Sequence, residues 1–237
     1  MPRPAPAPRR SSLTPFYVIL GLVALAAAGL LGTKLMKPAS KEGANQGVAV
    51  TLTPDQLQNV HGISVGRADA PITIYEFADF QCPHCRDAYF GLKPVFDKYT
   101  ADAKDVTFIF RTWPLNSNCN PSVPMANFVA TCDASALYIM AKRKGTGDTL
   151  KDWFFLHQSE LSPDTVRQAA TDVAKVPDFQ AGYAKAIQEV KTDAAVGTSL
   201  NIHSTPSFFI NGRALPAGAI APQYMDSLIQ LELSRAK

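Results

Sequence analysis

Ile72-Thr-Ile-Tyr-Glu-Phe-Ala-Asp-Phe-Gln-Cys-Pro-His-Cys85 carries most of what this chain says about its architecture. Its first half, Ile72 to Ala78, is apolar, β-branched and aromatic, which predicts a buried strand. Asp79, Phe80 and Gln81 read as a short connection. Beyond Cys85, Tyr89, Leu92, Phe96 and Tyr99 recur at spacings of three and four, so a helix with one apolar face follows, and Pro83 suits its first turn. Cys82 therefore stands at a strand-to-helix junction, near the N-cap.

Two thiols separated by two residues at such a junction can close into an exchangeable disulfide. Unpaired backbone N–H groups and the positive end of the helix macrodipole favour an anion there and lower a thiol pKa from its reference of about 8.5. A protonated His84 would act in the same direction. Stabilising the thiolate stabilises the reduced pair, and each pKa unit below ambient pH adds about 1.4 kcal/mol, or roughly 30 mV, of oxidising power. A low pKa at Cys82 thus implies an oxidant.

Far downstream, Ser204-Thr-Pro-Ser-Phe-Phe-Ile-Asn-Gly212 reads as a loop feeding a strand, with Asn211-Gly212 suited to a tight hairpin turn. CPHC after a strand together with TPSFFING resembles the DsbA-like thiol:disulfide oxidoreductases of the thioredoxin fold, over about residues 62–237. The resemblance implies an α/β, thioredoxin-like fold with an inserted helical subdomain. It implies a cis Pro206 facing the active-site disulfide, with the Thr205 backbone pairing with a substrate chain in β fashion. It also implies a buried acid six residues before the first Cys. Glu76 holds that position, where a proton relay beneath the disulfide is expected. The alternative is an outward-facing strand residue, but strand alternation sets Glu76 with Ile72 and Ile74, an apolar face.

Cys119 and Cys132 lie in a segment that resembles the helical insertion of relatives with a second disulfide. That resemblance implies a structural staple worth roughly 3 kcal/mol; a redox relay is the alternative. Zinc modules that use CxxC need a second pair at a spacing these two cysteines lack, and haem attachment needs His where Arg86 stands. No metal or cofactor is expected. His61, His157 and His203 read as packed or solvated, not catalytic.

The 237 residues allow one domain with appendages. Residues 1–14 read as a short basic tail. Residues 15–33 read as a transmembrane anchor or signal segment, since the uncharged run that contains them, Ser11 to Thr33, slightly exceeds the roughly 20 residues a bilayer requires. Residues 34–51 read as a flexible linker, and 52–237 as the DsbA-like domain with its helical insertion at about 116–176. Within it, Thr53-Pro54-Asp55 opens a brief helix, and Ile63–Gly66 and Val106–Thr112 are strands. The pattern turns helical for about sixty residues after Trp113-Pro114 and again from Pro177 to Gly197. A hairpin partner at Arg213–Leu215 and a closing helix after Pro222 complete it.

The first 41 residues hold six Lys or Arg and no acid, so the whole-chain charge of +3 leaves −3 for residues 42–237. The basic balance belongs to the membrane-proximal tail, and nothing suggests nucleic-acid binding. Since disulfides persist outside the reducing cytosol, the expectation is a single-pass protein of the cytoplasmic membrane with its catalytic domain on the periplasmic or extracellular side. Its expected activity is the introduction of disulfides into exported cysteine-containing proteins. The resemblance also implies a membrane partner linked to quinone, DsbB-like or VKOR-like, that reoxidises it. The rival readings are a tethered reductase or isomerase, and a non-enzymatic CxxC module that binds metal or acts as a chaperone.

Overall fold

Five strands, β1 (Ile63–Val65), β2 (Ile72–Ala78), β3 (Val106–Thr112), β4 (Ser207–Ile210) and β5 (Arg213–Ala214), form one mixed sheet in the order β1-β3-β2-β4-β5. A computed structural model describes residues 63–65, 70–100, 105–124 and 126–236. The expected tail (1–14), membrane segment (15–33), linker (34–51) and helix start at Thr53-Pro54-Asp55 lie outside them. Among the described residues no helix is long and apolar enough to cross a membrane.

β2 runs parallel to β3 and antiparallel to β4. Parallel neighbours need a crossover, and α1 (Pro83–Thr100) supplies it. β4 returns to β5 through Asn211-Gly212, whose φ values of 48° and 78° are both positive, as a two-residue hairpin of this twist requires. α6 (Pro222–Arg235) closes the chain against α1 and β2.

Strand alternation divides the core. Ile72, Ile74, Phe108, Phe110, Phe208 and Ile210 meet α1, α6 and the helical subdomain on one face. Tyr75, Phe77 and Phe209 meet Trp113 and the C-terminal part of α5 (Phe179–Ser199) on the other. Gly197 permits that second contact, because a Cβ there would come within 2.4 Å of the Trp113 indole.

The subdomain comprises α2 (Thr131–Arg143), α3 (Gly147–Leu156) and α4 (Pro163–Asp172), with α5 packed along α2. Helix does not begin directly after Pro114, as the apolar pattern suggests. The described residues of 113–130 form turns and an isolated bridge between Asn116 and Ala126. The side chains of Asn116 and Asn120 bind nearby backbone at Asn118 N, Phe128 O, Pro114 O and Ser122 N, which competes with helical hydrogen bonding. A disulfide between Cys119 and Cys132, with Cα atoms 5.8 Å apart, joins this segment to the first turn of α2.

Candidate active site

Cys82 immediately precedes α1, and Pro83 is the first helical residue. The Cys82 carbonyl accepts from Cys85 N at 3.1 Å and Arg86 N at 3.2 Å, closing the first turn. Both thiols are free. Cys82 is 4% exposed and Cys85 is fully buried, so the first cysteine is the more accessible of the two. Opposite them, the Thr205–Pro206 peptide bond is cis, and the Cys82 thiol donates to the Thr205 carbonyl at 3.5 Å. A motif at the start of α1 and a loop more than a hundred residues later thus converge on one sulfur.

The two thiols are electrostatically unequal. Cys82 is pulled down to about 5, first by the Cys85 thiol donating to it, then by Thr205 and the backbone N–H groups of Cys85 and His84, against the opposing effect of burial. The Thr205 hydroxyl is buried and holds no hydrogen bond of its own, which leaves it available as a donor to the Cys82 thiolate. Cys85 is pushed well up, by burial and by its role as donor to Cys82. The His84 ring is exposed, and it is this residue's backbone N–H that acts on Cys82.

Glu76 lies in the middle of β2, 2% exposed, on the face shared with Ile72 and Ile74. Burial pushes it up to about 8, with the Lys151 charge pulling the other way. Its Oε1 has no hydrogen-bond partner. Glu76 lines a cavity of about 210 Å³, whose walls include Tyr89, Phe96 and Lys151 and whose rim carries the exposed Lys93–Asp97 ion pair. Lys151, itself nearly buried, pairs with Asp148 at 2.9 Å.

The connection Asp79-Phe80-Gln81 proves to be the most heavily fastened part of the site. Phe80 is fully buried, its ring within 5.5 Å of the rings of Phe110, Tyr138, Phe154 and Phe155. Gln81 accepts from Ala130 N at 2.8 Å and donates to Leu161 O at 3.2 Å. From the subdomain, Gln158 donates to the carbonyls of Phe80 at 2.8 Å and Cys82 at 2.9 Å. Arg86 Nε donates to Phe155 O at 3.0 Å. Sequence spacing gave no sign of these residues, since every partner is distant along the chain. Among the described residues, no group of three or more His, Cys, Asp or Glu is placed to hold a metal ion.

Residues 58–230 match the sequence profile of a family described as Thioredoxin. One relative, Na(+)/H(+) antiporter NhaA 3 of Salinispora tropica, is 28% identical over 174 residues, which is 72% of this chain and 24% of that protein. The chain spans about a quarter of the length of the antiporter relatives it matches. Disulfide bond formation protein D of Bacillus subtilis is 22% identical over 64% of this chain and 68% of its own length. A crystal structure of a variant of alpha-DsbA1 from Wolbachia pipientis superposes with a TM-score of 0.59 at 18% identity, covering 74% of this chain and 92% of that one, a likeness of fold. With a CxxC pair heading the helix after the central strand, a cis-proline loop against it and a profile match over most of its length, the chain belongs to the thioredoxin family.

Proposed function

We propose that the protein is an extracytoplasmic thiol:disulfide oxidoreductase that introduces disulfides into exported cysteine-containing proteins. The observation that carries this is the inequality of the pair: Cys82 held down at about 5 and Cys85 pushed well up, before a cis Thr205–Pro206. A stabilised Cys82 thiolate favours the reduced enzyme and so drives electrons from client to enzyme.

In the disulfide form, a client thiolate attacks Cys82 Sγ, the more accessible sulfur. The Cys82–Cys85 bond breaks, a bond between Cys82 and the client forms, and Cys85 leaves with the electron pair. Cys85 is a poor thiolate and takes up a proton, for which Glu76 is the buried donor, recharged from solvent through the cavity that it lines. A second client thiolate then attacks the client sulfur of the mixed disulfide and expels Cys82 as its stabilised thiolate. The products are a client disulfide and the enzyme dithiol.

Turnover needs a two-electron acceptor. A DsbB-like or VKOR-like membrane partner linked to quinone fits that role, and an N-terminal membrane segment would hold the two close. Equilibrating the full chain against glutathione tests the direction: a potential near −120 mV is expected, and one near −270 mV would make the protein a reductase. Cys82→Ser should abolish client oxidation, and Cys85→Ser should accumulate mixed disulfides.

A further inference from the structure

Asp79 touches both cysteines through its backbone and three segments through its side chain. Its N–H donates to Cys85 Sγ at 3.4 Å, and its carbonyl accepts from Cys82 N at 3.2 Å. The carboxylate is fully buried. Oδ1 accepts from Gln81 N at 2.6 Å; Oδ2 accepts from Leu115 N at 2.6 Å and from the Thr131 hydroxyl at 2.7 Å. These donors come from its own turn, from the segment after β3, and from the start of α2. All three are neutral.

A buried carboxylate held by neutral donors keeps most of its charge where a thiolate is to form, in a medium that screens poorly. We propose that Asp79 is a positioning residue that tunes the thiol pair. Its carboxylate locks the turn that aims a backbone N–H at Cys85, and its uncompensated charge opposes the Cys82 thiolate and limits how oxidising the pair becomes. The inference rests on the thiol-exchange reading above. It concerns a group that does not touch the client and takes no part in bond exchange.

Burial pushes the Asp79 carboxyl up to about 6 against the pull of its three neutral donors at Leu115, Thr131 and Gln81, and the charge of Cys82 adds to the upward push. Coupling of this kind is reciprocal, so the ionised Asp79 must raise Cys82 by the same interaction.

The test compares the full chain with its Asp79→Asn variant, reading the Cys82 thiolate by ultraviolet absorbance against pH and the dithiol–disulfide equilibrium against glutathione. Removing the charge should lower the Cys82 pKa and shift the equilibrium constant about tenfold toward the dithiol, ~30 mV more oxidising. A purely structural role has the opposite sign, because loosening the turn withdraws the donors of the thiolate. An unchanged or raised Cys82 pKa would therefore overturn the proposal.

Should the variant not fold, the wild-type protein still decides. Carboxyl carbon NMR should show Asp79 titrating at higher pH in the dithiol form than in the disulfide form, where no thiolate exists. Equal values in the two forms would overturn the coupling. A wild-type pair that forms no reversible disulfide with glutathione would instead overturn the thiol-exchange reading itself, and this inference with it.

Discussion

Glu76 illustrates what burial does to a single ionisable group. Its pKa is raised from 4.5 to about 8, so its contribution to stability is fully present below about pH 4.5 and is lost as the pH climbs through 8. Glu76→Gln removes that dependence. In the disulfide form, where Cys82 cannot titrate, the variant should gain urea stability relative to wild type between pH 4.5 and pH 8.5. Parallel curves for the two proteins would show that Glu76 is not held protonated by its surroundings. At this scale the sequence was a good guide to position wherever a motif was contiguous. Cys82, Pro83 and Cys85 sit at the start of α1, and alternation agreed with the family resemblance in putting Glu76 on a buried face. Asp79 was opaque for a physical reason: its side-chain donors include Leu115 N and Thr131 Oγ1, brought together only by tertiary folding.

Among the elements, the segment of residues 113–130 is distinctive because its described residues form no helix or strand yet present donors to the site. Leu115 lies before Cys119 and Thr131 directly before Cys132, so the disulfide clasps both arms that hold Asp79 Oδ2. The sulfurs close a sequence separation of 13 residues, for which chain entropy gives roughly 3 kcal/mol. Replacing both Cys119 and Cys132 by Ser should lower the urea-unfolding free energy by about that amount. A loss under about 1 kcal/mol would mean that packing alone fixes the segment. The strands and the remaining helices fall close to where periodicity put them, with β1, β2 and β3 matching to within a residue. Residues 114–130 misled because Phe128 and its apolar neighbours mimic a helical face, while the asparagine side chains take the backbone bonds that a helix needs.

In the molecule as a whole, the helical subdomain is no detachable insert. Phe80 plugs into it, Gln81 and Arg86 donate to its backbone, and its Gln158 side chain donates to the carbonyls of Phe80 and Cys82. Subdomain and sheet should therefore unfold as one unit. The two tryptophans offer a check: Trp113 lies in the core against α5, and Trp153 stacks on His157 at 4.5 Å at the end of α3. Trp113→Phe and Trp153→Phe variants, each reporting through the other indole, should share one urea midpoint after correction for the far-ultraviolet transition of each variant. Separate midpoints within one variant would reveal two folding units. The sequence indicated the insertion but not its grip on the motif, since that grip consists of side chains bound to distant carbonyls, which leave no periodic trace. The cavity over Glu76 has a consequence of its own. Its lining residues Tyr89, Lys93 and Phe96 stand 7 to 14 positions beyond Cys82, about 10–20 Å along α1 at 1.5 Å per residue. In the proposed exchange, electrons and protons would thus use different doors: a polypeptide seated on Cys82 and Thr205 would leave the route to Glu76 open, and the acid would be recharged while the client is still attached.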